Sequence, residues 1–358
     1  MSRNQPAEAR VKETKRAEPR DPVADLRRIA LLLEFANEPS YRVRAFRNAA
    51  ATVRDLDPAA LQEHVKQGTL RSLTGIGEVT ERTITESLRG EEPVYLRRLE
   101  ATGGRMVAEL GAELCQALRG DCHVHSDWSD GGSPIREMAE AAIELGHAYM
   151  VLTDHSPTLT VANGLTAERL ERQLDDVAAL NVELAPFRIL TGIEVDILSD
   201  GSLDQTPELL SRLDIVVGSV HSELRMAAGP MTRRMVTALA DPHLDILGHC
   251  TGRMKAGRRN RPPSEFDAEI VFAAAARFDK AVEVNSRPER LDPPKRLLRL
   301  AVEAGCRVSI DSDAHAPGQM GWQPYGCDRA AACGVQIGAI VNAMEADALL
   351  AWAAAHEA

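Results

Sequence analysis

Asp121-Cys122-His123-Val124-His125-Ser126-Asp127-Trp128-Ser129-Asp130-Gly131 is the stretch around which the rest of the chain makes sense. Side chains two apart on a strand point the same way, so His123 and His125 offer two imidazoles to one spot while Val124 faces the opposite layer. Asp130 follows a short polar turn, and Gly131-Gly132 lets the chain fold that carboxylate back towards the imidazoles. One His-x-His pair is weak ground for a metal site, because motifs gain weight only from their context.

The context is a repeated strand-helix rhythm. Apolar runs suited to strands fall at 121–125, 149–153, 188–195, 214–220, 244–248, 281–284 and 307–310. Helical stretches lie between them at 134–145, 167–184, 231–239, 265–278 and 294–304. This alternation predicts an α/β fold with parallel strands, a barrel or a doubly wound sheet, and seven strands favour an irregular seven-stranded (β/α)7 barrel. In such folds function collects at the C-terminal strand ends. The residues closing the runs are His123 and His125, Asp154-His155, Glu194, His221, His249, Asn285, and Asp313-Ala314-His315. Six of the ten histidines stand there, which random scatter would not produce. His64, His147, His243 and His356 fall elsewhere and read as solvent or packing residues. A His/Asp/Glu set without cysteine suits catalytic Zn, Mn or Fe rather than a structural zinc; Cys122 and Cys250 read as packing neighbours.

At 358 residues, one large domain or two unequal ones are expected. The 44% hydrophobic content suffices for a buried core. A net charge of -11 excludes a protein coated in basic surface, so any nucleic-acid contact must come from local patches. No apolar run reaches the roughly 18 residues of a membrane span, and the polar N-terminus has no export-like apolar region. The six cysteines form no C-x-x-C pair and read as reduced thiols of a cytoplasmic protein. Residues 1–21, rich in Arg, Lys, Glu and Pro, read as a disordered tail.

From Val23, the spacing of Leu26, Ile29, Ala30 and Leu33 predicts a helix. A second begins at Tyr41-Arg42-Val43-Arg44-Ala45-Phe46-Arg47, and Gly75-Ile76-Gly77 makes a tight turn into a third. Backbone N–H groups at such a helix start suit a phosphate oxygen. This order resembles the N-terminal helix-hairpin-helix domain of family X, polymerase beta-like, DNA polymerases. The resemblance implies a DNA-binding hairpin at Gly75, Ile76 and Gly77, with Tyr41, Arg42, Arg44 and Arg47 nearby in sequence. Val79 and Thr83 stand where lyase members carry lysines, and lyase chemistry needs an amine. Residues 22–105 are assigned to this domain and 106–119 to a linker helix. The interval before residue 120 is too short for a polymerase palm.

The ordered set His123, His125, Asp130, His155, Glu194, His221, His249, Asp313 and His315, introduced by Leu118-Arg119-Gly120-Asp121, resembles the nine-ligand pattern of the PHP (polymerase and histidinol phosphatase) phosphoesterases. The resemblance implies a PHP domain over 120–358 holding three divalent ions. One would be held by His123, His125, Glu194 and Asp313, a second by Asp130, His155 and His315, and a third by Glu194, His221 and His249. Glu194, Asp313 and His315 would be catalytic, and a metal-activated hydroxide would attack phosphorus. After His249 comes a dense run of cations, of which Arg253, Lys255, Arg258 and Arg259 suit substrate phosphate. Asn285 and Arg287 stand at another strand end as further substrate contacts. The expected function is phosphoester hydrolysis on DNA, as a 3'-end exonuclease or abasic-site nuclease in repair. A small-molecule phosphatase of the histidinol-phosphatase type and a non-catalytic repair scaffold are the alternatives.

Overall fold

The computed structural model describes residues 20–102, 108–256 and 259–357, with the backbone alone for 256 and 259. Residues 1–19 of the expected tail lie outside them, and Asp21 caps the first helix by accepting from the Val23 N–H at 2.8 Å. The chain divides into two compact units after residue 104.

The smaller unit is helical: α1 (Pro22–Phe35), α2 (Ser40–Arg54), α3 (Pro58–Gln67), α4 (Glu78–Leu88) and α5 (Val94–Thr102). Leu26, Ile29, Ala30 and Leu33 line one face of α1, are fully buried, and share a core with Phe46, Ala49, Ala50 and Val53 of α2. The sequence reading passed over α3. Its boundary chemistry is plain: Asp57 accepts from the N–H groups of Ala59 and Ala60, Pro58 opens the helix, and Gly68 at φ +65° closes it.

The larger unit opens with α6 (Ala112–Ala117) and β1 (Gly120–Val124), then alternates: α7 (Ile135–Leu145), β2 (Tyr149–Leu152), α8 (Ala167–Leu184), β3 (Arg188–Asp196), α9 (Pro207–Leu210), β4 (Ile215–Ser219), α10 (Ala228–Leu239) and β5 (Ile246–Leu247). An antiparallel pair, β6 (Met254–Ala256) and β7 (Arg259–Arg261), interrupts the rhythm. Then follow α11 (Ala268–Arg277), β8 (Ala281–Asn285), α12 (Lys295–Glu303), β9 (Arg307–Asp311), α13 (Gln323–Ala331) and α14 (Ala346–Ala354). Seven strands pair in parallel in the order β1-β2-β3-β4-β5-β8-β9. β1, β2, β4 and β8 are buried along their whole length, as parallel strands covered on both faces must be.

The first and last strands meet, which makes the sheet a nearly closed barrel of the expected kind. Val124 bridges Ala314 in parallel, and the His125 N–H donates to the Ala314 carbonyl at 2.9 Å. Side chains complete this seam: Asp311 Oδ1 accepts from the Cys122 N–H at 2.8 Å, and Asp121 accepts from the Ser312 N–H and hydroxyl. The stretch read as a linker, 106–119, carries α6, and Leu114 within it and Leu118 just after it enter the core formed by β8, β9 and α13. No helix among the described residues is long and apolar enough to cross a membrane.

Candidate metal centre

β1 ends by delivering His123 and His125 to one place, with ring centroids 5.0 Å apart. Val124 and Cys122 instead join apolar clusters. The turn that follows is tight. The Gly131 N–H donates to the Ser126 carbonyl at 2.9 Å, and a Cβ on Gly131 would sit 2.6 Å from that carbonyl, so the return of Asp130 depends on glycine. Asp154, at the end of β2, braces the turn by accepting from the Ser126 N–H and hydroxyl, the Ser129 hydroxyl and Gln173.

Glu194 on β3 is the hub. Its Oε2 lies 3.3 Å from His123 Nε2, 3.5 Å from His125 Nε2 and 3.0 Å from His155 Nδ1. Its Oε1 lies 3.3 Å from His221 Nε2 and 2.9 Å from His249 Nε2. Asp130 Oδ1 stands 3.5 Å from His155 Nε2 and 3.4 Å from His315 Nε2. Asp313 Oδ1 stands 3.6 Å from His125 Nε2. All nine candidate ligands therefore converge. Three groups have ligand atoms within 4.8 Å of one another: His125, Asp130, His155 and His315; His123, His125 and Glu194; and His155, Glu194 and His221.

These residues fit divalent ions. His123 Nε2, both nitrogens of His125 and of His221, His155 Nδ1, His249 Nδ1 and both Glu194 oxygens are buried without a hydrogen-bond partner. So many unpaired polar atoms in one cavity would be costly unless an ion satisfies them. Against burial, Glu194 raises the imidazole pKa values of His123 and His221, so these two would give up a proton to a bound ion. Burial opposes the Glu194 carboxylate, but His123, His221 and His155 outweigh it and hold it well below the usual carboxylate range. Burial, then the charges of His315, His155 and His123, push the His125 imidazole well down and keep it neutral. Burial also opposes the Asp313 carboxylate, and Arg290, His123 and Arg287 keep it ionised.

The sequence reading missed two members of this site. Glu283 on β8 is fully buried; its Oε1 lies 2.7 Å from His123 Nδ1, and its Oε2 accepts from the His249 N–H. That contact commits His123 Nδ1 and leaves Nε2 to face Glu194. A charge inside an otherwise apolar strand, two residues before Asn285 and so on the same side, was the available signal. Arg290 is the second, with Nε 3.0 Å from Asp313 Oδ2.

The substrate candidates divide. The Arg287 guanidinium faces the site, 3.4 Å from His315 Nδ1 and 3.8 Å from Asp313 Oδ1. Asn285 is fully buried and donates to Asp313 Oδ2 at 3.1 Å, so it touches a ligand. Arg253 donates to the carbonyls of Arg290 and Leu291. Lys255 is exposed on β6. Arg258 and the Arg259 side chain lie outside the described residues. In the smaller unit, Gly75 takes φ +82° and Ile76 is buried. Gly77 caps α4 in extended backbone, with open space where a Cβ would stand. Tyr41 and Arg44 are exposed, whereas Arg42 binds Glu38 and Tyr95 and Arg47 binds Glu34.

A seven-stranded parallel barrel with a His/Asp/Glu pocket, preceded by a helical hairpin unit, defines a class. Residues 121–287 match the PHP domain and residues 19–93 the helix-hairpin-helix domain, and the chain carries both. It is 46% identical over 198 residues to the DNA polymerase/3'-5' exonuclease PolX of Bacillus subtilis (strain 168), covering 55% of this chain and 34% of that protein. The chain thus spans about a third of the PolX relative. It is 28% identical over 212 residues to a probable phosphatase of Thermoanaerobacter sp. (strain X514), covering 56% of this chain and 80% of that protein. Among solved structures, histidinol phosphate phosphatase from Lactococcus lactis subsp. lactis Il1403, complexed with zinc, L-histidinol and phosphate, aligns with a TM-score of 0.44 at 19% identity, over 61% of this chain and 94% of that one.

Proposed function

We propose that the larger unit is a metal-dependent phosphoesterase holding three divalent ions, and that the smaller unit presents it to DNA, at 3' ends or abasic lesions. The observation that carries the reading is the convergence of nine ligand side chains, with five histidines within 3.5 Å of Glu194 and with both Glu194 oxygens, His123 Nε2, His125 Nε2, His155 Nδ1 and His221 Nε2 unpaired. Bound ions would supply Lewis acidity towards a phosphoryl group and lower the pKa of water. The chain's own residues do the rest. Glu194 turns one oxygen to each half of the site, Glu283 and Asn285 hold His123 and Asp313 in place, and the Arg287 guanidinium stands ready for a phosphoryl oxygen.

The similarity to PolX supports DNA as substrate, and the hairpin supplies the means of holding it. Backbone N–H groups recognise phosphate without reading bases, so binding is sequence-independent and weakens steeply with salt. Val79 is exposed, and Thr83 is buried with its hydroxyl bonded to the Val79 carbonyl, so neither position offers an amine. Borohydride is therefore expected to trap no enzyme on deoxyribose-phosphate DNA. A small phosphomonoester is the second reading, favoured by the match over 80% of a probable phosphatase.

The deciding experiment uses Gly77→Val, because a Cβ there meets nothing within 4 Å and the added methyl groups would crowd the start of α4, where the phosphate is proposed to bind. With metal-loaded enzyme, Gly77→Val is expected to cut DNA at least about 10-fold more slowly while hydrolysing a chromogenic phosphate at the wild-type rate. Normal DNA cleavage by the variant, or far faster turnover of histidinol phosphate than of any DNA, would replace the DNA reading with the small-molecule one.

A further inference from the structure

Residues 156–164, Ser-Pro-Thr-Leu-Thr-Val-Ala-Asn-Gly, form a loop that leaves the metal centre and returns to it. The Ser156 N–H donates to the Glu194 carbonyl at 3.0 Å, and just past the loop the Leu165 N–H donates to the His155 carbonyl at 2.7 Å. The two feet touch, since a Cβ on Gly164 would collide with the Ser156 carbonyl oxygen. A compact surface loop whose ends lie together is an Ω-loop, an element that frequently carries function. This one is firmly held. Asp204 accepts from the Ser156 hydroxyl and the Thr158 N–H at 2.7 Å each, and from the Thr158 hydroxyl. On the return side Asn163 donates to the Trp128 carbonyl at 3.2 Å, and Arg169 donates to the carbonyls of Trp128, Asn163 and Gly164. Trp128 precedes the ligand Asp130 by two residues, so the loop stands beside the group formed by Asp130, His155 and His315. On this side the pocket opens: the Asp130 side chain is 38% exposed and that of His315 17%, against 0% for His123 and His125.

The chemistry of the loop is as distinct as its place. In a chain with 27% charged residues and a net charge of -11, residues 156–164 carry no charge at all. Val161, in the single turn Thr160–Ala162 at the crest, is 93% exposed, and Thr158, Thr160 and Asn163 are the other exposed side chains. Such a surface neither repels a polyanion nor competes for its phosphates. We propose that this loop is the nucleoside-binding wall of the pocket, with Val161 packing on the sugar or base attached to the scissile phosphate. The inference rests on the reading of the site as a phosphoesterase acting on DNA, and it names what holds the uncharged part of that substrate. Arg287 faces the phosphoryl group that every phosphoester shares, whereas the Val161 contact meets a part that only a nucleotide has. Apolar side chains pack on bases with little regard to sequence, so the wall distinguishes nucleotides from small phosphates and not one base from another.

The test gives metal-loaded, full-length enzyme two chromogenic diesters with the same leaving group, p-nitrophenyl thymidine 5'-phosphate and methyl p-nitrophenyl phosphate. Wild type is expected to favour the thymidine ester by at least about 10-fold in kcat/KM, the scale of covering one valine side chain. Val161→Ser should raise KM for the thymidine ester about 5-fold or more, leaving kcat for both esters and KM for the methyl ester unchanged. Val161→Leu should keep the wild-type preference. The exposure of Val161 means that both variants fold. Equal use of the two esters by wild type, or a Val161→Ser variant that keeps the preference, would overturn the nucleoside wall and leave the phosphoesterase reading standing. Turnover of neither ester would sink that reading and the wall with it. If Gly77→Val cuts DNA normally while Val161→Ser loses the thymidine preference, the DNA reading fails and the wall stands, with a mononucleotide as its occupant.

Discussion

Asp313 shows how one residue can serve both geometry and charge. Its backbone sits at φ +53°, a region that asparagine tolerates and alanine does not favour, so Asp313→Asn removes the charge with little strain. That variant and His123→Ala are expected to lose at least about 100-fold in turnover and to bind fewer ions, read by elemental analysis beside a circular dichroism spectrum showing the fold intact. Full activity in the chelated protein would remove the metal mechanism altogether. Glu283 acts one step further out. By contacting His123 Nδ1, the His249 N–H and, at 3.3 Å, Asn285 Nδ2, it couples three parts of the site from a strand that contributes no ligand. Glu283→Gln should weaken metal affinity by roughly 10–100-fold in a chelator competition. Unchanged affinity would reduce Glu283 to a packing residue.

At the scale of elements, the end of α7 carries a pH response separate from the metals. Gly146 closes the helix at φ +88°, and the His147 that follows has Nε2 buried without a partner. Burial pushes the His147 imidazole down to about 4. The unfolded chain takes up this proton near pH 6.5, so His147 contributes full stability above that pH and loses it as the pH falls towards 4, up to roughly 3 kcal/mol. In metal-free protein, His147→Leu should lose less thermal stability than wild type between pH 7 and pH 4.5; parallel curves would acquit this histidine. The same scale shows what was legible in the sequence. Strands buried on both faces read as apolar runs, and histidines gathered at their ends gave the convergence of ligands. The β6–β7 pair was not legible, because three residues, Met-Lys-Ala, are too short to establish a pattern and Arg-Asn-Arg is polar throughout. Neither was the anchoring of Arg253 on the carbonyls of Arg290 and Leu291, a contact across nearly forty positions that no local pattern encodes. Glu283 was hidden because ligands were sought at strand ends and it lies within one.

The whole larger unit depends on the meeting of its first and last strands. The PHP match ends at residue 287, yet β9, Asp313 and His315 come later, and the seam joins Asp121, Cys122, Val124 and His125 to residues 311–314. Seven of the nine ligands are therefore made before the second neighbour of β1, on the side away from β2, exists. During synthesis, His123 and His125 wait for a segment almost two hundred residues away, with the outer edge of β1 open until it arrives. Closing the barrel is thus a late event, and the boundary of the family match is not a boundary of folding. A chain stopped at residue 287 is expected to aggregate and to retain little metal after desalting, while one continued to residue 357 stays dispersed and loads fully; a soluble, metal-replete shorter chain would show that the barrel can assemble without its clasp.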